Sequence, residues 1–182
     1  MRLLAISGSL RAQSINTALL GALVRIAPPA VEIVLWNEMD KIPAFNPDVE
    51  DAHEAGPVGR FRTHIREADA VVFSTPEYAH GIPGSLKNAL DWVVGSGELS
   101  RKPVVLVNAS ARGIFVQAAL KEVLSTMDAR LMTEADLTVD LQGKKLTAVE
   151  IAEQPQFGSL LTAFLQNIGG TLNPTGLTPT GA

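Results

Sequence analysis

The residues best suited to chemistry lie in two loops. The first runs Ser7-Gly8-Ser9-Leu10-Arg11-Ala12-Gln13-Ser14-Ile15-Asn16-Thr17. It sets Ser7, Ser9, Ser14, Asn16 and Thr17 around a single arginine, just before a helical pattern begins. Free N–H groups at a helix start and the positive end of its dipole attract anions. Hydroxyls add neutral donors, and the Arg11 guanidinium adds a charged fork suited to phosphate. Gly8 allows a sharp backbone turn. The run is neither a Walker loop nor G-x-G-x-x-G, since no lysine follows a glycine here. The plain alternative is that Ser14 is a helix N-cap. A cap accounts for one hydroxyl and leaves the other polar residues and the arginine without a reason, so phosphate binding is the preferred reading.

The second loop runs Ser74-Thr75-Pro76-Glu77-Tyr78-Ala79-His80-Gly81-Ile82-Pro83-Gly84-Ser85. Glycines and prolines in its second half constrain its shape and bring the backbone close to a ligand. Tyr78 is the only tyrosine and has two readings, ligand contact or loop cover. His80 also has two, a proton donor to a substrate oxygen or an exposed loop residue. The second is preferred because nothing in the sequence supplies a fixed partner. His53 and His64 have no ligand-like spacing, so no metal site is expected. Asn108-Ala109-Ser110 matches a glycosylation acceptor, read here as accidental at a strand end.

The elements that must position these loops follow from periodicity. Leu3 to Ile6 is a short apolar strand. Ile15 to Ile26 has helical spacing with Leu19, Leu20, Leu23 and Val24 on one face, and Pro28-Pro29 ends it. Val31 to Leu35 is a second strand, 37–56 a long polar loop, and Pro57 to Ala68 a helix with proline in its first turn. Ala70 to Phe73 is the third strand, Pro83 to Val94 a helix, Pro103 to Val107 the fourth strand and Phe115 to Met127 a helix. Arg130 to Met132 is at best a short fifth strand, and Leu137 to Gln142 is ambiguous. Gln156 to Ile168 is the final helix, and a flexible Thr/Pro/Gly-rich tail follows Gly169. Fully apolar strands alternating with helices indicate an α/β domain with a parallel sheet between helix layers. Ligands of such sheets bind beyond the carboxyl ends of the strands where strand order reverses. That directs attention to the loops after strands one, three and four.

Composition narrows the function classes. The chain has 182 residues, enough for one well-cored domain, and no cysteine. Disulfides, thiolate metal sites and sulfur redox chemistry are excluded, so any redox work falls to a bound cofactor. The net charge of -4 comes without a basic stripe, so no nucleic acid partner is expected. No segment approaches the roughly twenty apolar residues of a membrane span, and the start lacks a signal peptide's apolar core. No membrane partner and a cytoplasmic location are expected.

G-S-L-R-x-x-S-x-N in the first loop, with P-E-Y-x-x-G-I-P-G-S-L-K-N-A-L-D-W in and after the second, resembles the NADPH-dependent FMN reductase family. The resemblance runs from about Arg2 to Met127. It implies a flavodoxin-like three-layer α/β/α sandwich, a five-stranded parallel sheet of order 2-1-3-4-5, in one FMN-binding domain over 1–170 with 171–182 as the tail. It implies that Ser9, Arg11, Ser14, Asn16 and Thr17 hold the FMN phosphate. Pro76, Glu77, Tyr78 and Ala79 would line the ribityl chain and ring edge, and Ser110 would approach from the fourth loop. Members often carry Asn where this chain has Ala79, followed by His80, and more glycine than Ser110-Ala111-Arg112-Gly113. Arg112 and Phe115 would narrow the pocket or meet the nicotinamide nucleotide. The Ser85–Trp92 helix borders a subunit interface in the family, which gives Trp92 two readings, interface or core. Lys87 and Asp91 read as a surface pair.

The implied function is an NAD(P)H-dependent oxidoreductase. Hydride would pass from NADPH or NADH to FMN, then to a quinone-like, azo or other small acceptor. No catalytic side chain is assigned, because the flavin carries the chemistry. A homodimer or homotetramer is expected. Two rivals share the scaffold: a flavodoxin-type electron carrier, and a non-enzymatic module binding FMN or another phosphate ligand.

Overall fold

Neighbouring residues along the central strands serve two different apolar layers, so the interiors of these strands are apolar throughout. In β1 (Arg2–Ser7), Leu3 and Ala5 join one buried cluster while Leu4 and Ile6 join the other. β3 (Ala70–Ser74) divides likewise, with Ala70 and Val72 opposed to Val71 and Phe73. A computed structural model describes residues 1–49 and 55–172. The expected loop over 37–56 thus falls partly outside the described residues, as does His53.

α1 (Ile15–Ile26) follows β1 and is capped by Ser14. Next come β2 (Glu32–Trp36), α2 (Pro57–Glu67), β3 and α3 (Gly84–Asp91). β4 (Pro103–Asn108) and α4 (Ile114–Thr126) complete the repeating units. The strands pair in parallel in the order β2-β1-β3-β4-β5, with β5 at Arg130–Leu131. This is the expected flavodoxin-like order, and it reverses between β1 and β3. Leu19, Leu20 and Leu23 of α1 pack on one face of the sheet with Leu161 and Leu165 of α6 (Pro155–Leu172). Phe61 and Ile65 of α2, Leu86 and Leu90 of α3, and Leu120 and Leu124 of α4 cover the other.

The fifth strand is broken in two. β5 pairs with Pro103 and Val104, while β6 (Leu137–Thr138) pairs with Val107 and Asn108 farther along β4. Between them the Leu106 amide donates to Asp136 Oδ1 at 2.8 Å, which fills the gap in the ladder. The ambiguity of 130–142 in the sequence has this cause: neither piece is long enough to show a period. A helix absent from the sequence reading, α5 (Ala148–Glu153), opens on a capping box between Thr147 and Glu150. That signal was legible as T-x-x-E. The Thr147 amide and hydroxyl donate to Glu150, which holds its carboxyl below the usual range.

Two helix ends depart most from expectation. α3 ends at Asp91 rather than Val94, because the Val93 amide bonds Leu90 one residue short of the α-helical spacing. α6 continues through Gly169 and Gly170 to Leu172. Its Leu165 and Ile168 are buried, and such packing outweighs the roughly 1 kcal/mol that each glycine costs a helix. Residues 171 and 172 of the expected tail are therefore helical, and 173–182 lie outside the described residues. Trp92 is fully buried within the chain and its Nε1 donates to the Pro43 carbonyl at 2.8 Å, so the core reading is the correct one. Asn88 of α3 fastens the same stretch, donating to Pro43 and accepting from the Phe45 amide. Lys87 and Asp91 form the expected surface pair at 2.6 Å.

Candidate functional site

Parallel order brings the ends of β1, β3 and β4 side by side, so their following loops meet at one edge of the sheet. The first loop is tied down from within. Ser7 is buried, and its hydroxyl shares a proton with Thr17 Oγ1 at 2.7 Å and accepts from the Ser9 amide. Ser9 Oγ accepts from the Arg11 amide. Ser14 Oγ accepts from the Thr17 amide at 3.3 Å, so Ser14 is the N-cap. Accepting uses a lone pair and leaves the hydroxyl proton free to donate, so the cap and a ligand contact are compatible at Ser14.

Asn16 is buried, and its Oδ1 accepts from Ser74 Oγ at 3.0 Å. This bond fastens the first loop to the end of β3. The Gly8 amide makes a second tie, to the Ser74 carbonyl at 2.9 Å. Among the described residues, the amides of Ile15 and Asn16 meet no acceptor and the Arg11 guanidinium meets no carboxylate. The loop itself contains no acid. Unused amides, free hydroxyl protons and an unpaired guanidinium without opposing negative charge form a donor set that fits the phosphate of FMN.

In the second loop, Tyr78 and Gly81 close a two-residue turn through reciprocal backbone bonds of 3.2 and 2.9 Å. The turn places Ala79 at φ +50° and His80 at φ +58°. The left-handed region disfavours residues with a Cβ, and asparagine tolerates it best after glycine. The usual asparagine of the resembled family therefore has a backbone reason here. Ala79→Asn is expected to raise stability by about 0.5–1 kcal/mol, read as an increased midpoint in urea with an unchanged slope.

The Glu77 side chain has a partner in the fourth loop's helix. Its Oε2 accepts from the amides of Phe115 and Val116, both at 3.0 Å, at the start of α4. α4 begins after Gly113 and has no side-chain cap of its own, so Glu77 satisfies its first amides and complements its dipole. The carboxylate is thereby used within the protein. The missing local cap was the one sequence signal of this role. Ser110 Oγ accepts from the Arg112 amide at 3.1 Å and donates to Gln142 Oε1 at 3.4 Å, which bends the fourth loop back on itself. Pro76 is half-buried, and Tyr78 is 48% exposed. Asn108 of the glycosylation-like triplet is buried at the end of β4.

His80 has the partner that its sequence could not supply. Its ring stacks on Phe115, centroids 4.2 Å apart and planes within 19°. The structure thus sets Ser9, Arg11 and Ser14 in the first loop with Asn16 and Thr17 in the first turn of α1, and joins the second loop to the start of α4 through Glu77 and His80.

Residues 1–144 match the family described as NADPH-dependent FMN reductase. An NAD(P)H-dependent FMN reductase of Pseudomonas aeruginosa is 36% identical over 159 residues, covering 80% of this chain and 85% of that protein. A quinone reductase of Escherichia coli is 34% identical over 144 residues, covering 75% of this chain and 76% of its own length. Among solved structures, the flavoenzyme NAD(P)H:(acceptor) oxidoreductase FerB of Paracoccus denitrificans superposes with a TM-score of 0.81 at 26% identity, over 97% of this chain and 99% of that one.

Proposed function

The chain belongs to the NADPH-dependent FMN reductase family, and from that premise we propose how its loops serve an FMN-dependent NAD(P)H oxidoreductase. The observation that carries the reading is the acid-free cradle at the start of α1, with its unused amides and unpaired Arg11. Arg11, the Ile15 and Asn16 amides, and the hydroxyls of Ser9, Ser14 and Thr17 hold the phosphate. Asn16 contributes its Nδ2 while its Oδ1 stays on Ser74. The backbones of Pro76, Glu77, Tyr78 and Ala79 line the ribityl chain and ring edge, and Ser110 meets the ring from the far side. Bound FMN supplies hydride chemistry, with NAD(P)H as reductant and a quinone-like or azo compound as acceptor. Glu77 holds the second and fourth loops at a constant separation, so the ring pocket is formed before the ligand arrives.

No helix among the described residues is long and apolar enough to cross a membrane. A cytoplasmic homodimer or homotetramer belongs to the same reading, supported by the family resemblance and the absence of cysteine. The test is a visible spectrum of purified protein after loading with FMN and dialysis, then with NADPH under anaerobic conditions. Retained yellow colour that bleaches within the mixing time is expected. Retained colour that neither NADPH nor NADH bleaches would favour an electron carrier, and loss of all flavin would defeat the cradle.

A further inference from the structure

Four large apolar side chains stand exposed on the first two loops and at the start of α4: Leu10 (56%), Tyr78 (48%), Ile114 (61%) and Phe115 (48%). The Glu77 and His80 contacts bring the second loop against the start of α4, and exposed apolar surface gathered in this way marks a contact surface. Within it, Phe115 is held twice. Its amide donates to Glu77 at 3.0 Å, and its ring lies against His80. His80 is in turn fixed by a turn that forces it to a positive φ of 58°. A loop residue that is half-exposed, stacked and held in a strained backbone conformation is preorganised rather than idle, and such strain collects at binding sites. The pair lies beyond the carboxyl ends of β3 and β4, on the side of the sheet where this fold receives ligands.

We propose that the stacked His80 and Phe115 rings form a wall that selects the second substrate, favouring planar aromatic electron acceptors over compact or non-planar ones. The proposal rests on the oxidoreductase reading and assigns the wall to the acceptor, not to the flavin. A planar acceptor continues the stack and gains an offset ring contact, which a compact anion such as ferricyanide cannot make. Glu77 is a positioning residue in this arrangement, since it seats the start of α4 that carries Phe115.

The test uses the FMN-loaded protein and Phe115→Leu, which keeps the apolar volume and the backbone bond to Glu77 but removes the ring. Two acceptors are compared, 2-methyl-1,4-naphthoquinone and ferricyanide. KM for the naphthoquinone is expected to rise about fivefold, with kcat changed less than about twofold, KM for ferricyanide unmoved, and full recovery in Phe115→Tyr. Two readouts stand apart from turnover. The FMN dissociation constant, from quenching of flavin fluorescence, is expected to be unchanged. In the oxidised native protein without NADPH, the ring-proton resonances of His80 are expected to shift as the naphthoquinone is added. Equal effects on both acceptors, a weakened FMN complex, a changed oligomeric state in Phe115→Leu, or His80 resonances indifferent to the quinone would each overturn the wall while leaving the oxidoreductase standing. A native protein that binds FMN yet is not reduced by NADPH or NADH would overturn the oxidoreductase reading, and the wall with it.

Discussion

Arg11→Ala is expected to weaken FMN binding by roughly 10- to 100-fold, the range of one lost hydrogen bond to a charged group. Arg11 is exposed and, among the described residues, has no carboxylate partner, so its removal leaves no buried charge unpaired and the melting temperature should hardly move. The loss should also depend on the phosphate. Titration with riboflavin, which lacks it, is expected to give the same affinity for native and variant protein. Equal losses for FMN and riboflavin would remove Arg11 from the phosphate cradle and place it near the ring instead. The FMN effect should shrink as salt rises, since the contact is largely electrostatic.

Gly8→Ala should damage both the fold and the site. A Cβ built on Gly8 would come within 2.2 Å of Thr75 Oγ1, 2.7 Å of Thr75 Cβ and 3.0 Å of Leu86 Cδ2. The hydroxyl can rotate away, but the Thr75 Cβ is fixed to the backbone of the second loop, so one loop must shift. The Gly8 amide bond to the Ser74 carbonyl resists the movement. Overpacking of this kind costs about 1–3 kcal/mol, which for a chain of this length lowers Tm by roughly 2–12 °C. FMN affinity should fall as well, because the displaced segment joins the phosphate cradle to the ring loop. A double-mutant cycle with Thr75→Gly gives the decisive measurement. Thr75→Gly removes the obstructing Cβ, so Gly8→Ala should cost far less in that background. Additive costs would show that Gly8 is needed for another reason.

Much of the fold was legible because its signals are local. Ile15–Ile26 was bounded by a cap before it and two prolines after it, and the structure keeps both ends. The apolar runs of β1, β3 and β4 announced burial on both faces, which only a sheet between helix layers provides. The failures are local too. β5 and β6 have two residues each, too few to show a period. Gly169 and Gly170 resembled a stop until Leu165 and Ile168 packed beneath them.

By itself the sequence determined the acid-free polar run before α1, the alternation of elements and hence the sheet edge at which the loops gather. These depend on contiguous residues, where composition and spacing act within a few positions of one another. Only the tertiary structure decided how the loops are joined. Asn16 and Ser74 are 58 residues apart, and Glu77 and the Phe115 amide are 38 apart. The His80–Phe115 stack and the contact of Gly8 with Thr75 likewise span separate loops. Strand order brings these partners together, and no periodicity records which side chain will meet which. For the same reason nothing in the sequence names the Glu77 carboxylate as the cap of a helix that begins without a side-chain cap of its own.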